Sequence, residues 1–131
     1  MSKDILLFYK LNFSSYVFKL KNTLEDKFEK TLDIEVFDKD ISKGVLDDLF
    51  KNYKFILFII DKDQQEILYD KFHSYKNYSE RILFLGDELK NITDGDEFFD
   101  NICLSIDMKI KELDQPQNEY EYLIDEYKKH H

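Results

Sequence analysis

The sequence contains little glycine, proline and cysteine and no tryptophan: its 131 residues include three glycines, one proline and one cysteine. One cysteine, Cys103, excludes an intramolecular disulfide and a zinc site built from several cysteines. Its neighbours Ile102 and Leu104 are apolar. Because free cysteine is among the most frequently buried residues, the pattern predicts a buried thiol.

The three glycines, Gly44, Gly86 and Gly95, stand far apart. Phosphate-binding loops need clustered glycines because the backbone must approach the phosphate with no Cβ in the way. None follows the first apolar run, where a dinucleotide-binding loop would lie. We therefore expect no dinucleotide motif and no cofactor.

Long apolar runs are also lacking, since no stretch of about 18 apolar residues occurs that could span a bilayer. The opening residues, Met1 to Asp4, place an acid where a signal peptide would turn apolar. These observations predict a cytoplasmic protein that makes no membrane contact.

Positive charge is scarce in the second half of the chain. Residues 1–60 carry ten lysines and ten acids, whereas residues 61–131 carry nine basic and eighteen acidic residues, which accounts for the net charge of -9. A surface of that sign repels phosphate backbones. Strong direct binding of nucleic acid is therefore not expected.

Four short apolar runs alternate with amphipathic stretches along the chain. The runs cover residues 4–9, 33–37, 54–60 and 81–85, and the third is continuous enough to be covered on both faces. This alternation predicts one α/β domain over residues 1–131, a three-layer sandwich with a mostly parallel, Rossmann-like central sheet.

Helix signals fill the gaps between these runs. Ser14 or Ser15 is placed to cap the first helix and Ser42 the second, and a third is expected over about 62–76. Thr93 or Asp94 is expected to begin a long helix, and Pro116 another. Two consecutive C-terminal helices therefore complete the predicted fold.

Candidate catalytic groups are few. The acids that follow the predicted strands lie where open α/β sheets bind ligands, but aspartate is favoured in turns and caps in any case, so we interpret them as solvated. They are Asp38, Asp40, Asp61, Asp63, Asp87 and Glu88. His73 has no partner at metal-ligand spacing, and no nucleophilic elbow occurs. We expect neither an enzyme nor a metal site.

The end of the predicted last helix combines an aromatic ring with cations at Tyr127, Lys128 and Lys129. Lysines there could simply oppose the negative end of the helix dipole. Alternatively, the cluster could receive an acidic peptide that ends in a hydrophobic residue. Phe50, Tyr53, Phe55 and Phe58 crowd the second helix and third strand. We expect most of them to belong to the core, while a surplus of aromatic rings there could form a second docking surface for a partner protein.

The order of several motifs resembles the chi subunit of bacterial DNA polymerase III. These are Phe8-Tyr9-Lys10-Leu11 in the first strand, Leu46-Asp47-Asp48-Leu49-Phe50 in the second helix, Arg81-Ile82-Leu83-Phe84-Leu85 in the fourth strand, Phe98-Phe99 in the long helix, and Glu126-Tyr127-Lys128-Lys129-His130 near the end. The resemblance covers nearly the whole chain. It rests on the order of the motifs rather than on any one of them.

The resemblance implies a non-catalytic accessory subunit that links the clamp loader, through the psi subunit, to the acidic tail of single-stranded DNA-binding protein. It assigns Tyr127 and Lys128 to the tail site, with Leu113 as an apolar wall, and the psi interface to the aromatic surface at Phe50, Tyr53, Phe55 and Phe58. The family's basic positions earlier on the last helix are Tyr120 and Ile124 here.

A second resemblance is to TIR domains. The first strand and the loop from Val36 to Gly44 are similar to that family's first two strands and their glycine-containing loop. Enzymes of the TIR family cleave nicotinamide dinucleotides with a glutamate, for which Glu66 is the candidate here. An unassigned α/β interaction module is the remaining alternative.

Overall fold

A computed structural model describes residues 3–38, 40–91 and 97–114. The elements are β1 (Lys3–Tyr9), α1 (Ser14–Asp26), β2 (Leu32–Val36), α2 (Lys43–Asn52), β3 (Tyr53–Ile59), α3 (Lys62–Phe72), α4 (Lys76–Ser79), β4 (Ile82–Leu85) and α5 (Glu97–Asp114). Short 3-10 turns cover Leu11–Phe13 and Asp87–Asn91.

The four strands form one sheet in the order β2-β1-β3-β4, and every neighbouring pair is parallel. In the central pair, Lys3 lies opposite Tyr53 and Tyr9 lies opposite Ile59. Parallel strands need crossover connections, which the intervening helices supply. Helices cover both faces, so the three-layer α/β sandwich predicted from the sequence is confirmed.

One face of the sheet packs against α1 and α5. This first core contains Ile5, Leu7 and Tyr9 of β1, Phe55, Leu57 and Ile59 of β3, Val17, Leu20 and Leu24 of α1, and Phe99, Cys103, Ile106 and Ile110 of α5. The apolar residues of α1 and α5 recur at helical spacing, which places them on one side of each helix.

The opposite face packs against α2, α3 and α4. This second core contains Leu6 and Phe8 of β1, Ile56 and Phe58 of β3, Leu46 of α2, Leu68 and Phe72 of α3, and Tyr78 of α4. Adjacent residues of β1 and β3 thus contribute to opposite cores, because successive side chains of a strand point to opposite faces.

The helix boundaries predicted from the sequence agree only in part with those of the structure. Ser42 caps α2, since its Oγ accepts a hydrogen bond from the Val45 amide at 3.3 Å. The expected cap of α1 is wrong: the 3-10 turn runs directly into that helix, and Ser14 Oγ donates to the Leu11 carbonyl at 2.7 Å. The third helix is shorter than predicted, since α3 ends at Phe72 and a turn leads into α4.

α5 is the long helix that the sequence predicts near the C-terminus. The Cys103 side chain is fully buried on its inner side, and burial raises the pKa of the thiol to about 12. The predicted burial of this cysteine is therefore confirmed. Thr93, Asp94 and the helix expected from Pro116 lie outside the described residues.

None of the helices that the structure describes combines the length and the apolar character needed to cross a bilayer.

Asp107 is the one charged side chain among the buried residues described, and two lysines neutralise it. Lys30 Nζ lies 2.7 Å from Oδ1 and Lys111 Nζ lies 3.0 Å from Oδ2. Burial by itself would raise the pKa of Asp107, but the hydrogen bonds from both lysines outweigh it and hold the pKa below its usual 3.8. This carboxylate joins α5 to the loop that follows α1.

Removing Asp107 is expected to destabilise the fold. We predict that Asp107→Ala lowers the free energy of unfolding by about 2 kcal/mol at pH 7, since hydrogen bonds to charged groups contribute about that much. Urea denaturation measures the change. In the control, Asp48→Ala removes an ion pair with Lys51 whose side chains are 77% and 76% exposed, so a change below about 0.5 kcal/mol is expected.

The difference in the free energy of unfolding between wild type and Asp107→Ala should become smaller at acidic pH. Because the folded pKa of Asp107 lies below 3.8, its contribution is complete above that pH and is lost as the pH falls through the folded pKa. A stability difference between wild type and Asp107→Ala that stays constant down to pH 2 would contradict this account.

Candidate functional site

The four aromatic residues proposed as a docking surface occupy different environments. Phe55 and Phe58 are completely buried, one in each core. They lie on β3 with a helical layer over both faces, so neither offers surface to a partner, and that part of the expectation is corrected. Phe50 and Tyr53 are partly exposed at the end of α2 and the start of β3.

Tyr53 is held at the amino-terminal edge of the sheet by Asp33. Its hydroxyl donates to Asp33 Oδ2 at 2.6 Å, and Lys3 Nζ donates to Oδ1 of the same carboxylate at 2.6 Å. The hydrogen bond raises the pKa of Tyr53 to about 12, and the hydrogen bonds from Lys3 and Tyr53 lower the pKa of Asp33. The three groups connect β1, β2 and β3, so the Tyr53 hydroxyl is already committed within the fold.

Phe50 lies between an aromatic ring and a cation. Its ring stacks on Tyr78 with a centroid separation of 5.6 Å and an interplanar angle of 13°. The Arg81 guanidinium lies 4.1 Å from the Phe50 ring centroid. Stacking and cation-π attraction fix this ring at the boundary between core and solvent.

Arg81, the only arginine of the sequence, binds main-chain carbonyls rather than a carboxylate. Nε donates to Lys54 O at 2.8 Å, and Nη2 donates to Tyr53 O at 2.9 Å and to Phe50 O at 3.3 Å. The cation thereby satisfies carbonyls where α2 ends, which is also the negative end of the helix dipole. Burial lowers the pKa of Arg81, although an arginine remains charged.

A cleft of about 520 Å³ opens beside this arginine, between α2 and the segment around α4. We call it the α2–α4 pocket. It is lined by two cations, one carboxylate and three aromatic rings: Lys43, Arg81, Asp47, Phe50, Tyr75 and Tyr78. Its volume falls within the range of small-ligand and peptide-anchor sites, about 300–1,000 Å³.

The charges of the α2–α4 pocket are only partly satisfied. Lys43 Nζ lies 4.9 Å from the Tyr75 ring centroid, and the Tyr78 hydroxyl donates to Asp47 Oδ1. Within residues 3–38, 40–91 and 97–114, neither Lys43 nor Arg81 forms an ion pair with a carboxylate. The pocket therefore has a positive excess in a chain whose net charge is -9.

Sequence reasoning identified Phe50 but missed Lys43, Tyr75, Tyr78 and Arg81 as its neighbours. Tyr75 and Tyr78 had no periodic apolar partners that would mark them. The one available signal was Arg81, a lone guanidinium in a chain that otherwise uses lysine. Arginine is preferred where a planar cation must stack on a ring and bind several acceptors.

The second docking site predicted from the sequence cannot be placed. Tyr127, Lys128 and Lys129 lie outside the described residues. Leu113 is described, and its partly buried side chain packs against the first core near the end of α5. Its assignment as an apolar wall of a peptide site stays a prediction.

The carboxyl edge of the sheet has a smaller cleft. About 200 Å³ is lined by Lys10, Phe37, Asp38, Asp40, Gln64 and Ile67, among others, and Gln64 Oε1 is buried without a hydrogen-bond partner in the described part of the chain. The six acids noted in the sequence are all exposed, as predicted. In those same described ranges no three His, Cys, Asp or Glu side chains are grouped so that they could hold a metal ion.

Gly86 and Glu66 are two further residues that the sequence analysis considered. Gly86 follows β4, and a Cβ there would lie 2.6 Å from the Ile60 carbonyl, so close packing rather than phosphate binding requires this glycine. Glu66 is exposed on α3 and does not line the carboxyl-edge cleft. Its proposed role in a TIR-like reaction stays a prediction.

Comparison of the chain with protein-family models, with curated proteins and with solved structures finds no match. The resemblances to chi subunits and to TIR domains therefore rest on the sequence motifs alone.

The Tyr78–Asp47 hydrogen bond has a measurable signature. It raises the pKa of Tyr78 to about 12, because the phenol must give up its bond to a carboxylate before it can ionise. We predict that Asp47→Asn lowers this pKa towards 10, as followed by NMR of tyrosine labelled at the ring carbon that carries the hydroxyl. Asp48→Asn, the adjacent exposed acid, should leave the Tyr78 pKa unchanged, and an equal shift in both variants would refute the assignment.

Proposed function

We propose that this protein is a non-catalytic accessory subunit of the chi type, which joins a psi-like subunit of the clamp loader to the acidic tail of single-stranded DNA-binding protein. The observation that carries the proposal is the partly exposed surface formed by Phe50 and Arg81, in which the Phe50 ring stacks on the buried Tyr78. Aromatic residues and arginine are enriched at protein interfaces, where they provide most of the binding energy. The surface includes the aromatic residue of the Leu46 to Phe50 motif.

Two features of the motif support this assignment. Leu46 is buried in the second core, while Phe50, one turn further along α2, is partly exposed beside Arg81. One end of the motif therefore anchors the helix and the other is available to a partner. Tyr53 adjoins this surface, and its hydroxyl is occupied by Asp33, which leaves the ring as the part available for contact.

The proposal places two partners at two separate sites. The psi-like subunit would use the surface at Phe50, and the acidic tail would use Tyr127, Lys128 and Lys129, as the chi resemblance implies. Two separate sites imply that each contact can be lost without the other. Separable loss is therefore the property to test.

A crossed capture experiment tests the bridge. Tagged wild-type protein should retain from its native cytosol a small psi-like subunit with clamp-loader components, together with single-stranded DNA-binding protein, as identified by mass spectrometry. Phe50→Ala should lose the clamp-loader components at least tenfold and keep the DNA-binding protein, because it truncates the aromatic anchor. Lys128→Glu should have the opposite effect.

The matched control is Phe18→Ala, which removes a 49% exposed phenylalanine from α1 on the other side of the sheet. It should alter neither capture. Circular dichroism and thermal unfolding of each variant separate loss of contact from loss of fold. A folded wild-type protein that retains neither partner would overturn the proposed function.

Calorimetry with a synthetic peptide ending in Asp-Asp-x-x-Pro-Phe isolates the tail contact. We expect binding at low salt, weakened about tenfold or more by Lys128→Glu and strongly reduced as salt is added, since exposed charge pairs are screened. Lys62→Glu, a charge reversal at the exposed first residue of α3 on the opposite face of the sheet, serves as the control and should change the affinity less than about twofold. Absence of binding at low salt would exclude the tail site.

A further inference from the structure

Lys43 and Arg81 stand at opposite ends of the α2–α4 pocket, with aromatic rings between them. Lys43 is the first residue of α2, and Arg81 binds the carbonyls where that helix ends. At a rise of 1.5 Å per residue, the seven steps from Lys43 to Phe50 separate the two ends by about 10 Å. An extended peptide covers that length in about three residues.

Each cation has unused capacity to bind an anion. Arg81 uses Nε and Nη2 for carbonyls, and Nη1 has no hydrogen-bond partner in the part of the chain that the structure describes. Lys43 Nζ lies over the face of Tyr75 and forms no hydrogen bond or ion pair with those residues. A carboxylate at either position would form a charge-assisted hydrogen bond, which is stronger than a neutral one.

The rings between the cations fit an aromatic side chain. Tyr75 is 43% exposed, and its centroid lies 5.5 Å from that of Tyr78, at an interplanar angle of 58°. Tyr78 in turn stacks on Phe50. A further ring inserted beside Tyr75 and Tyr78 would gain stacking contacts in addition to the burial of apolar area.

We propose that the α2–α4 pocket binds an extended acidic segment of a partner protein, with carboxylates three residues apart and an aromatic side chain between them. This inference rests on the proposed docking function and specifies the chemistry of the partner at the surface around Phe50. The charges of the pocket determine the choice of ligand, because two cations face the single carboxylate of Asp47. The Asp47 carboxylate repels an acidic ligand, so its removal should strengthen binding.

A capped pentapeptide, acetyl-Gly-Glu-Trp-Gly-Glu-amide, is a suitable probe, with acetyl-Gly-Gln-Trp-Gly-Gln-amide as its neutral counterpart. Titration of the full chain, followed by amide NMR shifts, should show binding of the acidic peptide with shifts around Lys43, Tyr75 and Arg81. The neutral peptide should bind at least tenfold more weakly at low salt.

Opposite charge changes on α2 should have opposite effects. Lys43→Glu should weaken binding of the acidic peptide about tenfold, whereas Asp47→Asn should strengthen it about threefold, because it removes a like charge from the pocket. The paired controls are Lys51→Glu and Asp48→Asn. They make the same charge changes at exposed positions of the same helix outside the pocket, and each should alter the affinity less than twofold.

Several outcomes would overturn the inference. The first is binding of the neutral peptide as tight as that of the acidic peptide, and the second is an equal loss of affinity in Lys43→Glu and Lys51→Glu. The others are an oligothymidylate that competes with the peptide for the same residues, and self-association of the protein that depends on Lys43. The outcomes distinguish failure of this inference from failure of the proposed function. If capture depends on Phe50 while the peptide fails to bind, only the acidic-segment inference fails; if the peptide binds but no clamp-loader component is captured, only the proposed function fails.

Discussion

β1 and β3 lie side by side in the middle of the sheet, and both strands are covered on each face. Their register, with Ile5 opposite Phe55 and Leu6 opposite Ile56, sends neighbouring side chains into different cores. A shift of one residue in either strand would place each of its side chains in the other core. The positions of α1 and α5 on one face, and of α2, α3 and α4 on the other, all depend on this pairing.

The second core reaches the protein surface beside Arg81, where it lines the α2–α4 pocket. The guanidinium lies over Phe50 and binds carbonyls of the α2–β3 junction, so a single side chain connects the start of β4 to the end of α2. This arrangement leaves the Phe50 ring partly exposed at the edge of the second core, stacked on the buried Tyr78. The α2–α4 pocket follows from that geometry, because the aromatic rings and the two cations converge only when the α2–β3 junction and β4 are held together.

Local sequence patterns predicted the elements well where one interaction dominates. The apolar spacing of Val17, Leu20 and Leu24 marked the buried side of α1, and Ser42 was identified correctly as the cap of α2. Prediction was wrong where tertiary contacts compete with local preference. Ser14 does not cap α1, because a 3-10 turn occupies the residues before it. Phe55 was assigned in part to a surface, although β3 lies between two layers of helices.

The sequence by itself determined the fold class, since short apolar runs that alternate with amphipathic segments have few stable arrangements other than a parallel sheet covered by helices. It also determined the burial of Cys103. Only the tertiary structure decided the strand order, the separation of Phe50 from the buried Phe58, and the meeting of Lys43, Tyr75 and Arg81 in one pocket. Lys43 is distant along the chain from Tyr75 and Arg81, and the energies that bring them together arise from packing and from hydrogen bonds to main-chain carbonyls, which no local pattern encodes.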